Sequence, residues 1–187
     1  MAEECVGVRP RRAADGSALA GVLRETHRKD RYPMVWPADA EGWLNPPGLA
    51  AAWVASAGVA GGKAGQGGCE LLGHVAVVTG VEDPVIAEAV GTAARLASVT
   101  RLFVAPTARG RRLSLGARLL ETAGGWAEQN GHRLMLDVVD DGGPAIDLYE
   151  RLGWRLVDGR IADWQTPDGR PVPLRLYLAP ESGGARG

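Results

Sequence analysis

Cysteine is scarce in this chain, and its two copies, Cys5 and Cys69, lie too far apart in sequence to suggest a disulfide framework. Three scattered histidines show neither CxxC nor HExxH spacing, so no metal is expected. A basic excess is missing as well: 21 Lys and Arg stand against 22 Asp and Glu, a net charge of −1. Dedicated nucleic-acid binders carry a surplus of cations to offset phosphate, and that class is set aside. The most apolar stretch, Leu49 to Ala60, falls short of the ~20 residues a membrane-spanning helix needs. The first residues carry no charged-then-apolar leader and run quickly into Arg9, Arg11 and Arg12. No internal repeat is visible. These absences leave the expectation of a cytoplasmic protein with no nucleic-acid or membrane partner. Its 187 residues suffice for one domain over 1–180, with 181–187 as a disordered tail.

What is present reads as alternating strands and helices. Val6–Val8 suggests a strand, and Asp15 or Ser17 offers an N-cap to a helix bearing Leu19, Val22 and Leu23 on one face. From Arg31 to Pro47, prolines and aromatics predict one short helix and otherwise loop. Ala51–Ser56 and Leu71–Thr79 read as hairpin partners, with Gly58–Gly68 as a flexible tip. Val81–Ala97 is ambiguous, with a short helix suggested from Pro84 to Val90. Ser98–Val104 reads as a strand. Leu115, Leu119, Ala123 and Trp126 then recur at helical spacing, and Asn130-Gly131 stops that helix. Gly124 and Gly125 inside it cost roughly 1 kcal/mol each relative to alanine, which packing is expected to offset. His132–Val139 is a strand, Pro144–Leu152 a helix ended by Gly153, and Trp154–Val157 and Leu174–Leu178 the last strands around an Asp168-Gly169 turn. Strand–helix–strand across 98–139 implies a parallel pair, and the hairpins imply antiparallel neighbours. The expected fold class is α/β (α+β): a mixed, mostly antiparallel twisted sheet with a central parallel pair and helices on both faces.

Chemistry concentrates where the strand ending at Val104 passes through Ala105-Pro106-Thr107-Ala108-Arg109-Gly110-Arg111-Arg112-Leu113-Ser114 into a helix. A helix opening presents unpaired N–H groups and partial positive charge, which suit a phosphate. Gly110, Ser114, Gly116 and Ala117 are small enough to let those amides approach a pyrophosphate, and Arg109, Arg111 and Arg112 add permanent charge. The plain alternative is a basic helix start on a solvated face.

Arg111-Arg112-Leu113-Ser114-Leu115-Gly116, followed by Leu119-Leu120, resembles the Arg/Gln-x-x-Gly-x-Gly/Ala signature of GNAT N-acetyltransferases. Ser114 replaces the first glycine. A second register, starting at Arg109, would place Arg112 and Ser114 at the glycine positions. A second segment, Gly142 to Trp154, is similar to that family's Asn-x-x-Ala-x-x-Leu-Tyr-x-x-x-Gly-Phe motif, with Gly142 at the asparagine and Trp154 at the phenylalanine. The resemblance covers about residues 98–178. It implies a GNAT-like fold and transfer of an acetyl group from acetyl-coenzyme A to an amine of a small molecule or peptide. It further implies a diphosphate held by Arg109 to Ala117, including Leu113 and Leu115. The pantetheine arm would run along Leu102, Phe103 and Val104, and amides near Phe103 and Val104 would polarise the acetyl carbonyl. Tyr149 would be the general acid that protonates the departing thiolate, as a phenol titrating near ~10 can. On its own, Tyr149 reads equally as a core aromatic.

The amine's proton acceptor stays unassigned. Glu82, Asp83 and Asp141 are candidates, each also readable as a solvated loop acid. In the family layout, Tyr32, Trp36 and Trp43 with Asp39 and Glu41, and also Trp164, are candidates for the acceptor pocket, an aromatic and acidic surface for a cationic amine. The layout leaves room for a homodimer. Two other motifs fail. Gly61-Gly62-Lys63 has Ala57 and Ala64 where a Walker loop needs glycine and a hydroxyl, and Ser114 lacks the leading glycine of a nucleophile elbow. A non-catalytic acyl-coenzyme A sensor of the same fold is the rival reading.

Overall fold

The computed structural model describes residues 4–59, 69–91, 95–109 and 114–181. The expected tip over 60–68, the residues Gly110 to Leu113, and 182–187 of the expected tail lie outside the described residues. The strands are β1 (Glu4–Pro10), β2 (Leu49–Val59), β3 (Glu70–Thr79), β4 (Arg95–Val104), β5 (His132–Val139), β6 (Arg155–Gln165) and β7 (Pro171–Leu178). The helices are α1 (Gly16–Asp30), α2 (Ala40–Trp43), α3 (Pro84–Val90), α4 (Leu115–Gln129) and α5 (Pro144–Arg151). The sheet order is β1-β2-β3-β4-β5-β7-β6. β4 and β5 pair in parallel from Arg95↔His132 to Ser98↔Met135, as the intervening α4 crossover demands. β1–β2, β5–β7 and β6–β7 pair antiparallel.

The chain forms two compact units, Met1–Val77 with Thr100–Ala123 and Val78–Val99 with Gly124–Gly187. In the first, α1 buries Leu19, Leu23 and Thr26, spaced as one helical face. Leu19 and Leu23 join Leu44, Val54, Leu71 and Phe103 in a core, flanked by the half-buried Val22, Tyr32, Trp36 and Trp43. Each such leucine contributes about 1.5–3 kcal/mol by leaving water. Asp15 stands at the N-cap position of α1, but its side chain faces the Arg9 guanidinium at 2.8 Å and the Arg12 amide at 2.7 Å. Those charge-assisted bonds outcompete an ordinary cap.

In the second unit, Ile86, Leu96, Met135, Leu176 and Leu178 form the core. Asp83 caps α3 through the Ile86 amide (3.0 Å) and holds Arg160 of β6 at 2.8 Å. On α5 the buried pair is Ile146 and Tyr149, one turn apart.

Several sequence readings change: β1, β2 and β7 run longer than expected, and Gly58 of the expected tip belongs to β2. β4 starts at Arg95 rather than Ser98, because its opening residues find partners on β5 that no local pattern announces. β6 extends to Gln165, paired with β7 through two register shifts, well past the expected end at Val157. Finally, a Cβ placed at Gly124 or Gly125 meets no atom within 4 Å, so packing does not require glycine at either position.

Candidate functional site

The passage from β4 to α4 lies in the first unit. Gly73 of β3 lies so close to β4 that a Cβ there would stand 2.9 Å from the Phe103 carbonyl oxygen and 3.2 Å from Leu119 Cδ1. Only glycine admits that approach. Beside it the Ala105 amide donates to the Leu72 carbonyl at 2.7 Å. Phe103 is buried, while Leu102 and Val104 stay half-exposed, the period-two alternation of a strand. Within β4, Arg101 adopts φ 54°, a left-handed conformation uncommon for arginine.

After Pro106–Ala108, a single 3-10 turn, Arg109 folds back. Its Nε donates to the Val104 carbonyl at 3.0 Å and its Nη1 pairs with Asp30 at 2.6 Å. Ser114 is exposed, left-handed at φ 44°, and its carbonyl accepts the Arg118 amide at 3.0 Å. It is therefore the N-cap of α4, and the amides of Leu115, Gly116 and Ala117 precede the helix's own hydrogen-bond ladder. Gly116 and Ala117 are half-exposed with little side chain to cover those amides, whereas Leu115 turns its side chain into the core. A diphosphate suits such an opening in charge and in donor number. Arg118 anchors this end of α4 by donating to the Val6 carbonyl at 3.1 Å.

Of the aromatics expected at the acceptor pocket, Tyr32, Trp36 and Trp43 lie in the first unit and pack against the same core. Tyr32 meets Trp43 edge-on at 6.0 Å and Phe103 of β4 at 6.5 Å. Trp36 lies between the Arg24 guanidinium (5.3 Å) and the His27 ring (5.4 Å). It lines an open cleft of about 450 Å³ with Arg24, Asp39 and Glu41 over the small residues Ala20 and Gly21. Asp39 already caps α2 through the Gly42 amide at 2.9 Å.

Tyr149 belongs to the second unit, on α5, buried against Trp154 (5.9 Å) and Tyr177 (6.0 Å). The Tyr177 hydroxyl donates to Glu150 at 2.8 Å. Gly142, at the family's asparagine position, is left-handed at φ 65°, a conformation that glycine and asparagine share. Trp164 is exposed on β6. Of the acids, Asp141 accepts the Gly143 amide at 2.8 Å and introduces α5. Burial alone would raise Asp83, yet hydrogen bonds from Arg160 and the Ile86 amide hold it below the usual carboxylate range, which makes it a weak base. Glu82 is exposed.

Sequence reasoning passed over His74, Arg11 and Arg101. Their one local signal was a histidine inside the otherwise apolar run Leu71–Thr79. His74 is fully buried, and burial pushes its imidazole down to about 4. Among the described residues, no group of three His, Cys, Asp or Glu could hold a metal ion, and no helix is long and apolar enough to cross a membrane.

Residues 23–154, well over half of the chain, match the model described as "Acetyltransferase (GNAT) family". A search of curated protein sequences found no match. Among solved structures, Arabidopsis thaliana NAA60 in complex with a bisubstrate analogue superposes with a TM-score of 0.71 at 22% identity, over 94% of this chain and 98% of that one. The ribosomal-protein-S18-alanine N-acetyltransferase of Escherichia coli gives 0.62 at 17% identity, over 98% of both chains. Salmonella typhimurium yncA, solved with acetyl-coenzyme A, gives 0.65 at 14% identity, over 97% and 98%. These likenesses are of fold.

Proposed function

The chain is a member of the GNAT acetyltransferase family, and on that premise we propose that it moves an acetyl group from acetyl-coenzyme A to a primary amine of a small molecule or peptide. The observation that carries this reading is the strand–turn–helix passage from β4 through the left-handed Ser114 into α4, inside the span matched to the family. Residues 1–180 act as one acetyltransferase domain in this reading, which the family match over 23–154 supports. The similar NAA60 and yncA structures were solved with acetyl-coenzyme A, which supports that donor. The Escherichia coli neighbour, named for an alanine of a ribosomal protein, supports a peptide amine. A cytoplasmic location belongs to the same proposal.

Acetyl-coenzyme A brings the activated acyl group. The amides of Leu115, Gly116 and Ala117 bind its diphosphate, with Arg109 to Ser114 completing the cradle. The pantetheine arm runs along Leu102, Phe103 and Val104, and amides near Phe103 and Val104 stabilise negative charge on the acetyl oxygen. Nitrogen bonds to the acetyl carbon as the carbon–sulfur bond breaks, the Tyr149 hydroxyl gives its proton to sulfur, and the proton shed by the nitrogen leaves to solvent, which restores the phenol. Tyr32 and Trp43 form the amine-side wall, with Trp36 and Trp164 as further contacts.

Tyr149→Phe tests the acid directly. Turnover should fall about 10²-fold or more, the usual span for a lost general acid, with coenzyme A affinity by calorimetry kept. Unchanged turnover would remove Tyr149 from the mechanism. A wild-type protein that binds coenzyme A yet acetylates none of a panel of amines, polyamines, aminoglycosides and peptide N-termini would instead be an acyl-coenzyme A sensor.

A further inference from the structure

His74 sits in β3 within the buried run Leu71–Val77 and is itself fully buried. A polar ring in that setting needs partners. Its Nδ1 lies 2.8 Å from the Arg101 carbonyl oxygen, its Nε2 lies 3.3 Å from Arg11 Nη1, and its ring stacks on Phe103 at 5.4 Å. A carbonyl can only accept and a guanidinium only donate, so this network assigns a neutral imidazole with its hydrogen on Nδ1.

The two arginines reach onward to the same short segment. Arg11 donates to the Leu44 carbonyl at 2.6 Å and to Asn45 Oδ1. The Arg101 guanidinium covers the Trp43 ring at 3.9 Å, and its Nε donates to the Trp43 carbonyl at 3.1 Å. Trp43, Leu44 and Asn45 are thus gripped from two sides, and both grips meet at His74. Arg101 carries the left-handed backbone of β4, a conformation that persists only where the surroundings over-determine it. Two residues further lies Phe103, against which Tyr32 packs.

We propose that Arg11, His74 and Arg101 form a positioning unit that locks the left-handed turn of β4 to the Trp43–Asn45 segment, fixing the Phe103–Val104 backbone against the amine-side wall of Tyr32 and Trp43. The inference rests on the acetyl-transfer reading and adds to it a link between the acyl-side strand and the amine-side aromatics. The diphosphate cradle at α4 is made of other residues. Loss of the unit therefore lowers turnover through misorientation and leaves coenzyme A affinity intact.

Three substitutions of His74 dissect the ring. Asparagine sets its amide nitrogen near the Nδ1 position and keeps the donor to Arg101. Glutamine sets its amide oxygen near Nε2 and keeps only the acceptor for Arg11. Phenylalanine keeps the stacking and neither bond. With an amine from the panel and saturating acetyl-coenzyme A, His74→Gln and His74→Phe should lower kcat about tenfold or more, at unchanged coenzyme A dissociation constant by calorimetry. His74→Asn should recover most of that loss. Arg101→Lys, which keeps the charge but loses the stacked fork, should show the same split should the His74 variants fail to fold. Wild-type kcat in all variants, asparagine no better than glutamine, or affinity falling in step with kcat would each overturn the proposal. An inert wild type would instead sink the acetyl-transfer reading, and this inference with it.

Discussion

His74 shows how one residue's surroundings set a measurable property of the whole protein. Its ordinary value of 6.5 falls to about 4 in the fold, chiefly through burial, and more weakly through the positive charges of Arg11 and Arg101; only the hydrogen bond to the Arg101 carbonyl opposes the shift. The sign follows from proton uptake. Above pH 6.5 neither folded nor unfolded chain protonates this ring; between 6.5 and 4 the unfolded chain takes a proton that the folded one refuses. Stability therefore falls as pH drops through that window, and the loss levels off below pH 4. By pH 5 this single group removes roughly 2 kcal/mol. Urea unfolding of wild type and His74→Phe at pH 7.5 and pH 5 isolates the effect, since the carboxylates and the other histidines cancel in the comparison. A pH-dependent loss equal in both proteins would contradict the assignment. Asp83 and Asp141 teach the complementary lesson: of these acids beside a predicted site, Asp83 is occupied in capping α3 and Asp141 in holding the Gly143 amide just before α5.

At the level of elements, glycine separates two kinds of constraint. Gly73 is held by space, because its missing Cβ would lie 2.9 Å from a backbone oxygen of β4. Gly73→Ala should cost about 1–3 kcal/mol, because β4 must move. Gly125 lies in open space within α4, so Gly125→Ala should stabilise by about 0.5–1 kcal/mol with function unchanged. Thermal unfolding with calorimetric coenzyme A binding checks both; a silent Gly73→Ala would contradict the close approach. Elements of this sort were legible in sequence where the signal was local. The apolar spacing of Leu115, Leu119 and Ala123 marked α4, Pro144 and Gly153 bracketed α5, and the apolar run from Leu71 marked β3. The full lengths of β4 and β6 were not legible, because they depend on partners distant in sequence. Of the site, the α4 opening was readable from Ser114 and Gly116. The contacts of Trp36 with Arg24 and His27 were not, since they depend on α1 rather than on the aromatic segment itself. The Arg11–His74–Arg101 cluster joins three elements far apart in sequence and left only a lone histidine as its trace.

For the whole molecule, near-neutral charge and the family match over residues 23–154 frame the expected chemistry. Family membership brings the expectation of acetyl transfer; Ser114 in place of glycine is the local departure that expectation must survive. Its left-handed φ explains why glycine is usual there, and its exposure leaves the following amides uncovered. Everything about donor binding depends on those amides. A ¹H–¹⁵N correlation spectrum recorded during titration with coenzyme A observes them one by one. The account predicts that the Leu115, Gly116 and Ala117 amides shift most strongly and saturate together, as new hydrogen bonds to phosphate would require. Saturable binding that leaves those three resonances in place would contradict it.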